Sequence, residues 1–111
     1  MLRLYMATVR VISASPVVLE PLTSKTTRTG KSVTLSCALA EGDARVEFSW
    51  TKDGLLVRET PRLEILKRKR TSALMIDSVE VADAGEYVCI ASDGHSEDRT
   101  TAQLIVEGTF G

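Results

Sequence analysis

Two cysteines and one tryptophan constrain this chain more than any other feature. Cys37 stands 13 residues before Trp50 and 52 before Cys89, and Tyr87 lies two residues ahead of Cys89. Each keeps step with apolar neighbours at every second position: Val33, Leu35 and Cys37; Val46, Phe48 and Trp50; Tyr87, Cys89 and Ala91. Alternation with period two marks a strand with one buried face. Three separate strands are therefore expected to aim a cysteine, an indole and a second cysteine into one core. Read as metal or redox residues, the cysteines fit poorly. They are far apart, and the single histidine forms no cluster with them.

The rest of the chain reads the same way. Its 111 residues suffice for one core and are too few for two. From Pro16 on, turn signals recur about every 8 to 12 residues, the spacing of an all-β sandwich or barrel. Pro16 to Leu22, flanked by prolines, suits an edge strand. Ser32 to Ala40, Val46 to Thr51, the short Leu55 to Arg58, a segment with Leu63 and Ile65 inward, and Ala73 to Ile76 follow. Leu74 and Ile76 point inward in the last of these. Asp77 and Glu80 have capping-box spacing, so 77–85 is expected to hold one helical turn. Glu86 to Ser92 and a final strand with Ala102, Leu104 and Val106 inward complete the set.

Charge and hydropathy narrow the function. Fourteen basic residues against fifteen acidic leave a net charge of -1, without the basic excess of a nucleic-acid-binding domain. No apolar run approaches the length of about 18 residues that spans a bilayer, so no direct membrane contact is expected from this domain. The sequence has no asparagine and so no N-glycosylation acceptor. Residues 1–15 have an early arginine and late small residues, the outline of a leader, but Arg10 splits the apolar segment. They are expected to be a poorly ordered leader or linker, 16–108 the domain, and 109–111 a linker end.

The stretch Asp83-Ala84-Gly85-Glu86-Tyr87-Val88-Cys89, with Leu74-x-Ile76 upstream, resembles the D-x-G-x-Y-x-C signature of immunoglobulin domains. A cysteine spacing near 50 is similar to the intermediate (I-set) or constant-2 type. The resemblance covers about Pro16 to Glu107. It implies a two-sheet antiparallel immunoglobulin-like sandwich of the I-set and a Cys37–Cys89 disulfide packed against Trp50 in a core with Tyr87 and Leu74. It also implies a Tyr87 hydroxyl bonded to backbone near Asp83, and an Arg62–Asp83 ion pair across the bottom of the sandwich. A disulfide in turn favours an oxidising, extracellular compartment. Gly42-Asp43 with Phe48-Ser49-Trp50-Thr51-Lys52-Asp53-Gly54 resembles domains of the Down syndrome cell adhesion molecules, especially arthropod ones, although Val18 to Leu22 lacks their usual aromatics. That resemblance implies a module of a longer, membrane-anchored cell-surface protein that binds protein, including copies of itself. Spacer domains of giant muscle proteins and secreted immune-recognition domains are the alternatives.

No enzyme activity, cofactor or metal is expected. Asp93, His95 and Ser96 are neighbours in one hairpin loop, whereas a catalytic triad is a spatial constellation with an oxyanion hole. Asp93, Glu97 and Asp98 lack the dense oxygen ligands of a calcium site. Lys67-Arg68-Lys69-Arg70 could meet a polyanion, but charge runs are usually solvated faces. Alternation places Thr34, Ser36, Ala38, Leu66, Ala73 and Met75 outward on one sheet with no charge among them, rimmed by Arg62, Glu64 and Arg68. This face is the expected protein-binding surface. Val88, Ile90 and Ile105 dot the opposite face.

Overall fold

The computed structural model describes residues 16–42 and 45–108. The expected leader at 1–15, the linker end at 109–111 and Asp43 lie outside the described residues. The described residues form nine strands: β1 (Val18–Leu19), β2 (Lys25–Arg28), β3 (Val33–Glu41), β4 (Glu47–Lys52), β5 (Leu55–Leu56), β6 (Leu63–Lys67), β7 (Thr71–Ile76), β8 (Gly85–Ser92) and β9 (Glu97–Glu107). They build two sheets, ordered β1-β3-β7-β6 and β2-β9-β8-β4-β5. Every pairing is antiparallel except β2 with β9, which is parallel.

The core lies between the sheets and follows the alternation. Val33, Leu35, Cys37 and Leu39 of β3 are buried, as are Phe48 and Trp50, Leu74 and Ile76, Tyr87, Cys89 and Ala91, and Ala102 and Leu104. Each large apolar side chain so buried is worth about 1.5–3 kcal/mol of transfer free energy. Leu63 and Ile65 of the edge strand β6 are only half-buried against this core. An edge strand has a neighbour on one side alone, so its inward residues are less well covered.

Several boundaries differ from the sequence reading. The leading segment does not form one strand over 16–22. Only Val18–Leu19 pairs with β3, and the chain then crosses to the other sheet as β2. Its passage is held by side chains. The N–H groups of Val17, Leu19 and Leu22 donate to Ser96 Oγ, Asp98 Oδ2 and Thr100 Oγ1 at 3.0, 2.8 and 2.8 Å. The expected strand over 55–58 shrinks to Leu55–Leu56. The helical turn exists as a 3-10 turn at Val81–Asp83, but its box is shifted by three residues. The Asp83 carboxylate accepts the Glu80 N–H at 2.8 Å, while Asp77 accepts the Ser32 hydroxyl instead.

Candidate functional site

The cysteine pair sits at the centre of the sandwich. Cys37 on β3 and Cys89 on β8 are joined across the sheets, with Cα atoms 6.4 Å apart and both side chains buried. Trp50 is opposite Cys89 in the β4–β8 register, which lays its indole against the bridge. Its N–H donates to Ser72 Oγ at 2.9 Å, and the Ser72 hydroxyl donates to the Leu66 carbonyl at 3.0 Å. Ser72 is the one buried polar side chain among the described residues. Sequence reading passed over it, although it stands in phase with Leu74 and Ile76 and so had to point inward.

The opposite end of the sandwich is closed by charge. Tyr87 is buried and its hydroxyl donates to the Asp83 carbonyl at 2.6 Å. Burial, and then the nearby Asp83 and Asp53 carboxylates, push its phenol up to about 12. Arg62 grips Asp83 through Nη1 to Oδ2 at 3.1 Å and Nη2 to Oδ1 at 3.3 Å, and Nη1 also donates to the carbonyls of Asp77 and Ser78. Partial burial raises the Asp83 carboxyl, but the Arg62 bond, the Glu80 N–H and the charges of Arg62 and Lys52 together hold it below its ordinary range. The Asp83 bond, working against desolvation, raises Arg62 in turn. Gly85 follows from the same packing. A Cβ there would lie 2.6 Å from Asp53 Oδ2, and that carboxylate accepts the Glu86 N–H at 3.0 Å through its other oxygen.

Arg62 is thereby engaged by the 77–83 turn. The outer surface of the four-stranded sheet carries the other expected members. Register sets Thr34 beside Met75 and Glu64 in one row, and Ser36 beside Ala73 and Leu66 in the next. Ala38 and Thr71 form a third row, and Arg68, one residue past β6, donates its backbone N–H to the Thr71 carbonyl at 2.8 Å. Thr34, Ser36, Glu64, Leu66 and Arg68 are exposed, while Ala38, Ala73 and Met75 are half-buried by their strand neighbours.

A family model for the immunoglobulin I-set domain matches residues 16–106. The chain belongs to the immunoglobulin I-set family. Among curated relatives of this I-set domain, slow-type myosin-binding protein C of Rattus norvegicus is 41% identical over 68 residues, or 61% of the chain. The cell adhesion molecule DSCAML1 of Gallus gallus is 29% identical over 98 residues, 88% of the chain. The membrane-bound isoform of pro-neuregulin-2 of Homo sapiens is 31% identical over 90 residues, 79% of the chain. The chain spans 10%, 5% and 11% of these three proteins. Among solved structures, an I-band fragment of titin superposes with a TM-score of 0.79 at 28% identity, covering 86% of this chain and 34% of that one. A chain from a complex of titin with an obscurin-like 1 immunoglobulin domain gives 0.80 at 21% identity, with 89% of this chain and all of that one covered, a likeness of fold. The likeness to the cell adhesion molecule DSCAML1 is thus shared with myosin-binding protein C, titin and pro-neuregulin-2.

The remaining candidates of this I-set domain do not gather into a site. Asp93 Oδ1 accepts the backbone N–H groups of His95 and Ser96 at 2.8 and 2.7 Å, a turn that holds its carboxyl below the usual range. The Ser96 hydroxyl is taken up by Val17. Glu97 and Asp98 are successive residues of β9 and point to opposite faces. Among the described residues, no group of three His, Cys, Asp or Glu side chains could hold a metal ion, and no helix is long and apolar enough to cross a membrane. On the five-stranded sheet, Leu55, Leu56 and Ile105 are 75%, 59% and 52% exposed, more than Leu66 at 37% on the other face. They lie at the margins, whereas Val88 and Ile90 between them are half-buried.

Proposed function

We propose that this domain is an extracellular recognition module of a longer cell-surface protein, and that it binds a second copy of itself through the outer face of the β1-β3-β7-β6 sheet. One observation carries the reading. Along β6 the outward residues are Glu64 and Leu66, and Arg68 follows one residue past the strand, so that in sequence an acid and a base stand two residues either side of an apolar one. The next strands continue the surface with Thr34, Ser36, Ala73 and Met75 and add no charge. A two-fold axis through the Leu66–Ala73 row superposes one copy's small side chains on the other's. It also brings each Glu64 to the partner's Arg68. Such an isologous contact is self-complementary, and its charges choose the partner more than they add affinity. The Cys37–Cys89 disulfide supports an oxidising compartment.

Sedimentation of the oxidised domain from micromolar to high micromolar concentration is expected to show a reversible dimer. Met75→Arg is expected to abolish it without lowering the melting temperature. The charge-swapped Glu64→Arg and Arg68→Glu variants should each be monomeric alone and pair again in the double variant. A dimer intact in Met75→Arg would move the contact to another face. A second reading, a spacer in an intracellular muscle-type protein, is supported by the likeness to myosin-binding protein C. Free thiols at Cys37 and Cys89 in native material would favour it over the first.

A further inference from the structure

We propose that the hairpin joining β6 to β7, together with Arg58 beside it, is a docking site for a sulfated linear polysaccharide. Lys67, Arg68, Lys69 and Arg70 follow one another through the turn, and all four are exposed. Elsewhere Arg28, Lys52, Arg62 and Arg99 have carboxylate partners within 4 Å, while among the described residues Lys25, Lys31 and Arg45 have none but are not consecutive. Among the described residues, none of the four hairpin cations has one, nor does Arg58. Five unneutralised charges on a chain of net charge -1 are a local concentration of positive potential.

The turn is also fixed. The Arg68 N–H donates to the Thr71 carbonyl and the Leu39 N–H to the Arg70 carbonyl, each at 2.8 Å. Arg70 Nη1 donates to the Gly42 carbonyl at 3.3 Å. Little backbone order remains to be imposed on binding. Strand alternation turns Lys67 toward the open side of the sandwich, where it lines a groove with Arg58, Leu56 and Ile65. Glu59, the carboxylate in that groove, turns into the sheet and accepts the Ile65 N–H at 3.0 Å. The cations therefore run from the free edge of β6 to the hairpin tip, a track suited to a chain of anions rather than to one.

The surroundings select among polyanions. Phe48, Trp50 and Tyr87, the aromatic side chains among the described residues, are all buried. Among the described residues no Phe, Tyr or Trp ring is left exposed as a platform on which bases could stack. Residues 67–71 carry no apolar side chain to enter a lipid surface. Sulfate esters are permanently ionised and ask only for cationic N–H donors, which the guanidinium fork supplies two at a time.

Chromatography of the whole chain on immobilised heparin at about 0.15 M salt, where exposed charges are screened beyond about 8 Å, tests this. The chain is expected to be retained and released by rising salt. Lys67→Gln/Arg68→Gln/Lys69→Gln, which spares the Arg70 bond, should pass through unretained. The slope of log affinity against log salt should fall by about one per cation removed, as for other polyelectrolytes. Lys25→Gln/Arg28→Gln/Lys31→Gln removes the same charge around β2 and should bind like the parent. Lys69→Glu, a single change at the tip, should elute at lower salt and covers the case in which the triple variant folds poorly. Failure of the parent to bind, equal loss in both triple variants, or capture by phosphatidylserine vesicles without capture by heparin would overturn the proposal. Arg68 also belongs to the dimer contact proposed above, whereas Lys69 does not, so the Lys69→Glu result separates the two proposals.

Discussion

Replacing Ser72 with alanine tests whether the indole at the centre of the sandwich depends on one hydroxyl. Trp50 and Ser72 are each 1% exposed, and their bond is 2.9 Å long. Alanine keeps the packing and removes a single oxygen. The gap is well below a water's share of about 30 Å³, so no water replaces it. The Trp50 N–H is left buried without an acceptor, and the Leu66 carbonyl loses a donor. An orphaned buried donor costs about 1–3 kcal/mol, and the lighter desolvation of alanine offsets part of that. The expected loss is about 2 kcal/mol, or about 8–16 °C in melting temperature for a domain of this size. Urea unfolding followed by far-ultraviolet circular dichroism gives the loss directly, with an unchanged m-value. The same substitution in a Trp50→Phe background, which has no N–H to orphan, should cost at least about 1 kcal/mol less. An equal cost in both backgrounds, or no shift in the urea midpoint, would refute the role assigned to the hydroxyl.

Three further outcomes follow from the same structure. Tyr87→Phe leaves the Asp83 carbonyl without its phenol donor and should cost about 1–3 kcal/mol at neutral pH. Because the folded phenol is raised to about 12, its contribution is complete below the ordinary value near 10 and is lost as the pH rises toward 12. Difference titration of parent against Tyr87→Phe at 295 nm should place the phenol in that alkaline window, and an ordinary titration would contradict its burial. Asp83 is depressed, so its contribution is present above the ordinary carboxylate value of about 4 and lost as the pH falls through its lower folded value. The stability gap between parent and Asp83→Asn should therefore close in acid, and a gap unchanged down to about pH 2.5 would argue against the ion pair. Reduction of Cys37–Cys89, which closes a loop of separation 52, should cost about 4 kcal/mol on the chain-entropy model; a loss below 1 kcal/mol by urea titration with and without reductant would contradict that.

Where packing follows period two, the sequence announces it: Leu35, Cys37, Trp50, Leu74 and Tyr87 all face inward as alternation requires. The parity of the outer face is legible for the same reason, and it places Leu66, Ala73 and Met75 on one surface. β2 is different. Lys-Thr-Thr-Arg has no apolar rhythm and three of its four residues are exposed, so only its partner β9 makes it a strand. Ser72 looks like a surface residue by type, and only its phase betrays it. The shifted capping box and the engagement of Arg62 by the turn share one cause. Asp83 can serve both the Glu80 N–H and the arginine, and spacing alone does not say which acid takes that position.

The side-chain bonds that carry the first strand across to β9, and the parallel β2–β9 pair beyond them, matter when the domain is stretched. Chain enters through β1 and β2 and leaves through β9. Tension along a series of such domains pulls β2 and β9 in opposite directions along their own axes. The ladder from Lys25–Leu104 to Arg28–Glu107 then bears the load in shear, with its bonds strained together, and does not open one at a time. The same short, apolar-poor strand that sequence rhythm cannot see is the one whose failure would set the force at which the domain gives way.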